Sequence, residues 1–171
     1  DITDINKKIY DQDTAVYDLY LIGKRWSLEY FDSIYERLGT KFKKLYFESD
    51  AGPVGMKYVL ENLAKGVFRK SDGAVIFPGE DYGLHTRVFI NSQGLPTYEA
   101  KELGLAPTKY HDFAYDQSII ITANEIDEYF KVLLKALEQV NPDLAIKTKH
   151  VSHGMVKLPT GKMSSRTGKV I

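Results

Sequence analysis

Cysteine is absent from the 171 residues, which excludes disulfides, thiolate metal sites and thiol nucleophiles and suits a reducing compartment. No uninterrupted apolar run approaches the roughly 20 residues of a membrane-spanning helix. No basic, then apolar, then small-residue leader opens the chain either. Net charge is also missing, with 23 basic residues against 23 acidic, so the composition is not that of a generally basic nucleic-acid binder or a disordered tail. These absences leave a soluble, cytoplasmic protein with no membrane partner as the expectation. His85 and His111 have no partner at metal-ligand spacing, so no protein-bound metal is expected.

What is present suits a packed fold: 43% of residues are apolar and 27% charged, and the length fits one domain or a domain with an insertion. The zero net charge hides an asymmetry. Residues 144–171 carry Lys147, Lys149, Lys157, Lys162, Arg166 and Lys169 and no acid, leaving 17 basic against 23 acidic residues in the rest. Such a basic stretch is either a solvated face or a phosphate-docking surface. The chain begins at Asp1 without Met and stops at Ile171 just after a Gly-rich basic loop, so a fragment is expected.

Apolar spacing predicts helix over 14–38, with Gly23 as a weak point and Ser27 as an N-cap for a second helix. Leu45-Tyr46-Phe47 reads as a short strand. A helix over 54–65 is expected with Pro53 in its first turn and Gly66 past its end. Ser71-Asp72-Gly73 separates two apolar pieces, Val67-Phe68 and 74–77, as in a hairpin. Strand and helix then alternate: strand 87–91, helix 97–103, strand 118–122, helix 125–140, strand 148–153. Parallel α/β is the natural reading. The run Ser118-Ile119-Ile120-Ile121-Thr122 is expected to be buried on both faces. Ile126, Tyr129, Phe130, Leu133, Leu134, Leu137 and Val140 form one helical stripe to lie on that sheet.

Chemistry is concentrated in the terminal segment. After His150-Val-Ser-His153-Gly154-Met155-Val156 comes Gly161-Lys162-Met163-Ser164-Ser165-Arg166-Thr167-Gly168-Lys169. Such a loop can wrap a polyphosphate: glycines let backbone N–H groups approach, Lys162 is a mobile point charge, Arg166 a planar fork, and the hydroxyls give short hydrogen bonds. It lacks P-loop spacing. By itself it also reads as an exposed turn.

Lys162-Met163-Ser164-Ser165-Arg166-Thr167-Gly168 resembles the Lys-Met-Ser-Lys-Ser signature of class I aminoacyl-tRNA synthetases, in the form typical of the arginyl enzymes. The preceding segment 150–156 looks like the strand before that signature. Phe47-Glu48-Ser49, Asp72-Gly73-Ala74, 97–103 and Tyr129-Phe130 stand in the order expected of arginyl-tRNA synthetase. The resemblance covers nearly the whole chain, from Trp26 to Ile171. It implies an α/β fold, the second half of a Rossmann-type parallel-sheet catalytic domain, preceded by a helical segment (1–44) and a small α+β insertion (45–85), with the catalytic half at 86–171.

The resemblance further implies arginine and ATP as substrates, Mg²⁺ held with ATP mainly by phosphate oxygens and water, arginyl-adenylate as intermediate and tRNA(Arg) as acceptor, with a monomer expected. Lys162 and Arg166 are the implied catalytic residues. His153, Gly154, Met155, Val156, Met163, Ser164 and Ser165 join Lys162 around ATP. Tyr98 and Glu102 are implied arginine contacts and lie one turn apart on one helix face, offering an anion and an aromatic wall to a guanidinium. The family has Asp where Glu102 stands, and commonly a Gln contact where this chain has Ile126. That polar contact then falls to Asn124 or Glu125. No His-Ile-Gly-His element occurs, so the chain alone is expected to be inactive. The reading in another class is a nucleotide- or RNA-binding α/β module without chemistry.

Overall fold

The computed structural model describes residues 2–155, 157–159, 161, 163 and 168. The chain divides into two compact units, residues 1–45 and 46–171. In the first, α1 (Ile2–Tyr10) and α2 (Thr14–Leu38) follow one another. The Asp13 side chain caps α2 by accepting from the Ala15 N–H at 2.9 Å. Gly39, at φ 69°, closes the helix in the left-handed region that glycine tolerates. The break expected near Gly23 does not occur. Ser27 caps nothing, and its hydroxyl instead donates to the Gly23 carbonyl one turn back, at 2.9 Å.

The second unit opens with α3 (Glu48–Leu63), β1 (Arg69–Ser71), β2 (Ala74–Phe77) and β3 (Arg87–Ile90). Helix α3 starts six residues before the sequence reading placed it. Glu48 and Asp50 in the first turn suit the positive end of the helix, and Pro53 lies inside rather than at the start. The expected strand at Leu45-Tyr46-Phe47 is not among the described elements: Phe47 is extended but serves as the α3 N-cap. The hairpin is confirmed. Asp72 and Gly73 both have positive φ, 48° and 77°, as a two-residue turn matched to strand twist requires; the first strand begins at Arg69 rather than Val67.

Strand β3 corrects the parallel expectation for 87–91, because it pairs antiparallel with β2 and completes a three-stranded sheet in the order β1-β2-β3. Phe68, Phe77 and Phe89, each fully buried, pack at 5.0–6.2 Å between ring centroids. The chain then continues through α4 (Tyr98–Asp112), β4 (Ser118–Ala123), a 3₁₀ turn at Asn124–Ile126, α5 (Asp127–Val140), α6 (Pro142–Lys147) and β5 (Thr148–His153). Strands β4 and β5 pair in parallel from Ser118↔Thr148 to Ala123↔His153, which agrees with the α/β reading. The predicted stripe is the buried face of α5: Tyr129, Phe130, Leu133 and Leu137 are all below 7% exposed.

Strand β4 is not buried on both faces. Ile120 packs on the core, whereas Ile119 and Ile121 are 55% and 68% exposed, as is Val151 of β5 at 50%. Periodicity cannot show whether both faces of an apolar strand are covered.

Helices α3 and α4 cross where both carry glycine. A Cβ built on Gly55 would lie 1.7 Å from the Ala100 carbonyl oxygen, and one on Gly104 would lie 2.3 Å from the Gly55 nitrogen and 2.4 Å from the Ala51 oxygen. These contacts are with backbone, so relief requires moving a helix. Gly104→Ala gains about 1 kcal/mol of helix propensity but overpacks the crossing by about 3 kcal/mol, a net loss of about 2 kcal/mol. Gly23→Ala meets nothing within 4 Å and should gain up to about 1 kcal/mol. Denaturant titration of both variants checks the opposite signs; equal effects would show that the crossing relaxes freely.

Candidate functional site

The start of α4 is fixed by the turn before it. The Asn91 side chain accepts from the Gln93 and Leu95 N–H groups at 3.0 and 2.9 Å, and the Thr97 hydroxyl donates to the Val88 carbonyl at 2.7 Å. Thr97 thus ties the helix to β3 instead of capping it. Tyr98, the first helical residue, is set at the rim, 42% exposed. Glu102 follows one turn later and is half-buried.

Burial raises the Glu102 carboxyl above its ordinary range; Lys109 and a hydrogen bond from Tyr98 oppose that shift, and Glu48 adds to it. Burial lowers Lys109 in turn, against the pull of Glu102. Tyr98 is pushed up to about 12 by burial and by Glu102. Lys109 Nζ also donates to Ser118 Oγ at 2.8 Å, tying α4 to β4. Sequence reasoning paired Tyr98 with Glu102, and the structure brings them together. It missed Lys109, whose position seven residues on, two helical turns away on the same face, was the available signal.

Across from α4, Tyr129 of α5 lies with its ring 5.2 Å from that of Tyr98. The Arg87 guanidinium sits over the Tyr129 ring, 5.5 Å from its centroid, and reaches Glu99 at 3.5 Å. Burial raises the Tyr129 phenol, with Glu102 and Glu99 adding to it. The Tyr129 hydroxyl has no hydrogen-bond partner among the described residues, a state that costs about 1–3 kcal/mol for a buried polar group. The result is an aromatic and acidic patch with two internal cations at its edges. Glu125 is exposed in the 3₁₀ turn before α5. Ile126 packs against the core, as its place on the apolar stripe suggested.

The start of α5 is fastened to β5. The His150 ring stacks on Phe130 at 4.0 Å and shares a 2.7 Å hydrogen bond with Thr122, while Ser152 Oγ donates to Asp127 at 3.2 Å. His153 and Gly154 are exposed where β5 ends, and Met155 is half-buried. Leu158 and Gly161 exchange two backbone hydrogen bonds of 2.9 Å. Val156, Lys162, Ser164, Ser165 and Arg166 lie outside the described residues.

Residues 26–171 match the family model of tRNA synthetases class I (R), catalytic domain. The chain belongs to this family. It is 38% identical over 147 residues to an arginine–tRNA ligase of Amoebophilus asiaticus, covering 85% of this chain and 25% of that protein. It is 34% identical over 172 residues to the arginine–tRNA ligase of Treponema pallidum, covering all of this chain and 29% of the relative. The chain therefore spans between a quarter and a third of the length of these curated relatives.

Among solved structures, one described as an arginyl-tRNA synthetase from Campylobacter jejuni superposes with a TM-score of 0.71 at 19% identity, over 91% of this chain and 36% of that one. The arginyl-tRNA synthetase of Plasmodium falciparum gives 0.74 at 18% identity, over 88% and 27%. At these identities the superpositions speak for the fold alone, a mixed α/β one.

The raised Glu102 carboxyl has a pH signature. Its folded pKa lies above the unfolded value, near 4.3, so the folded state binds the extra proton in the window just above that value. Its contribution to stability is complete below the unfolded pKa and is lost as pH rises through the folded one. Glu102→Gln should remove this loss, so its denaturation midpoint relative to the unaltered chain should increase as pH rises from about 4 toward neutrality. A difference that stays constant over this range would mean that Glu102 does not titrate abnormally.

Proposed function

We propose that the chain is part of the catalytic domain of an arginine–tRNA ligase. In the full-length parent, arginine and ATP form arginyl-adenylate and pyrophosphate, and the arginine then passes to the 3′ end of tRNA(Arg). The observation that carries this reading is the Tyr98–Glu102 pair of α4, a half-buried carboxylate beside an aromatic wall, in a chain of this family. A guanidinium is weakly hydrated, stacks on aromatic faces and takes a carboxylate through two N–H groups. Glu102, whose charge is disfavoured by burial, gains most from such a ligand. Glu125 is the remaining candidate contact, through a different turn.

His153, Gly154, Met155 and Val156 are proposed to contact ATP from the end of β5, with Met163, Ser164 and Ser165 in the loop beyond. Mg²⁺ accompanies ATP, held by phosphate oxygens and water, and no protein residue is assigned to it. Lys162 and Arg166 are proposed to act on the phosphates as charge moves toward the departing pyrophosphate, which stabilises the transition state more than the bound substrate. The parent is proposed to work as a monomer in the cytoplasm, away from any membrane; no helix among the described residues is long and apolar enough to cross one.

Single-turnover adenylate formation by the full-length parent tests the loop. With saturating ATP, Lys162→Ala should slow the step by about a hundredfold, the scale of losing one transition-state donor. A normal rate with only a raised ATP requirement would make Lys162 a passive anchor. The 171-residue chain by itself should show only background pyrophosphate exchange, because it holds no His-Ile-Gly-His element. Arginine-dependent exchange by this chain would overturn that expectation.

A further inference from the structure

Tyr129 is 6% exposed, yet its hydroxyl has no hydrogen-bond partner among the described residues. Phenylalanine would fill the same space without the orphaned group, so packing alone does not explain a tyrosine here. The surroundings define the missing partner. Glu102 and Glu99 both act on the hydroxyl electrostatically, and the Tyr98 ring stands 5.2 Å from the Tyr129 ring. A positively charged N–H donor suits that field. Neither nearby internal cation fills the role: Arg87 lies over the ring face and is engaged with Glu99, and Lys109 donates to Ser118. Ile126, one turn earlier, carries no polar side-chain atom and packs on the core.

We propose that the Tyr129 hydroxyl is a specificity-determining contact of the arginine site, accepting an N–H from the guanidinium that Glu102 and Tyr98 hold. This rests on the reading of Tyr98 and Glu102 above and adds to it a residue from a second element. The geometry gives selectivity a physical basis. A guanidinium spreads five N–H donors over a plane and serves a carboxylate on one edge and a hydroxyl on another. An ammonium gathers its three donors on one atom and cannot span both positions in the same way. Placing the two acceptors on separate helices, α4 and α5, makes their separation part of the recognition.

The test is Tyr129→Phe in the full-length parent, with arginine-dependent pyrophosphate exchange as the readout and agmatine, which carries the guanidinium but no carboxylate, as a competing probe. The expected result is a KM for arginine and an inhibition constant for agmatine both raised about tenfold, the scale of one hydrogen bond to a charged group. The KM for ATP should stay unchanged and the thermal midpoint should be equal or higher, because a buried orphan has been removed. Arginine and agmatine constants within twofold of the unaltered parent, with Glu102→Gln still losing arginine, would overturn the assignment of Tyr129 while leaving the reading of Glu102 intact. Weakened arginine with unaffected agmatine would also overturn it, since the contact would then be to the carboxylate, the one group agmatine lacks. If Glu102→Gln leaves the arginine KM unchanged, the site reading itself fails and the Tyr129 assignment falls with it.

Discussion

The close crossing of α3 and α4 is the constraint on which the rest of the second unit depends. Two backbones approach at Gly55 and Gly104 without room for a Cβ on either, and this sets the depth at which α4 lies. Ala51 and Ala100 continue the small-residue seam, and Lys101 of α4 reaches Glu48 of α3 at 2.6 Å. With α4 pressed against α3 on one side, its opposite face turns Glu102 and Lys109 toward β4 and α5. A larger residue at the crossing would displace this whole face, since packed helices move as bodies.

That face carries an unusual density of charge for a half-buried position. Glu102 with Lys109, and Glu99 with Arg87, pair opposite signs within one shell, and burial opposes the charge on both members of the first pair. Such pairs seldom add net stability, because desolvation takes back most of the Coulombic gain. Their value lies elsewhere. A carboxylate only partly compensated by an internal cation favours a further cation beside it, and the rings of Tyr98 and Tyr129 stand next to each other on this face.

The parallel pair β4–β5 supplies the second fixed reference. Its residue-for-residue register places Thr122 and His150 for their hydrogen bond, and His150 in turn supports Phe130 at the start of α5. Helix α5 is thereby held at the end from which Tyr129 projects, while β5 leads directly to His153 and the loop beyond. Positions on rigid elements around a strand end are a recurrent way to hold reacting groups in α/β sheets.

Much of this organisation was legible in the residues alone. The α5 stripe, the Asp72-Gly73 turn, the apolar β4 run and the pairing of Tyr98 with Glu102 all express local periodicity or local backbone preference, which short-range sequence encodes directly. The family resemblance of the 162–168 loop was equally plain, because its residue types stand next to each other. Other features were decided only by tertiary structure. The antiparallel pairing of β3 depends on a partner strand at 74–77. The open face of β4 depends on which surfaces meet. The orphaned Tyr129 hydroxyl lies on a stripe that reads simply as core, since periodicity reports that a side chain faces inward and not whether its polar atom finds a partner there. Burial and pairing are properties of two surfaces brought together, and a sequence pattern describes only one of them at a time.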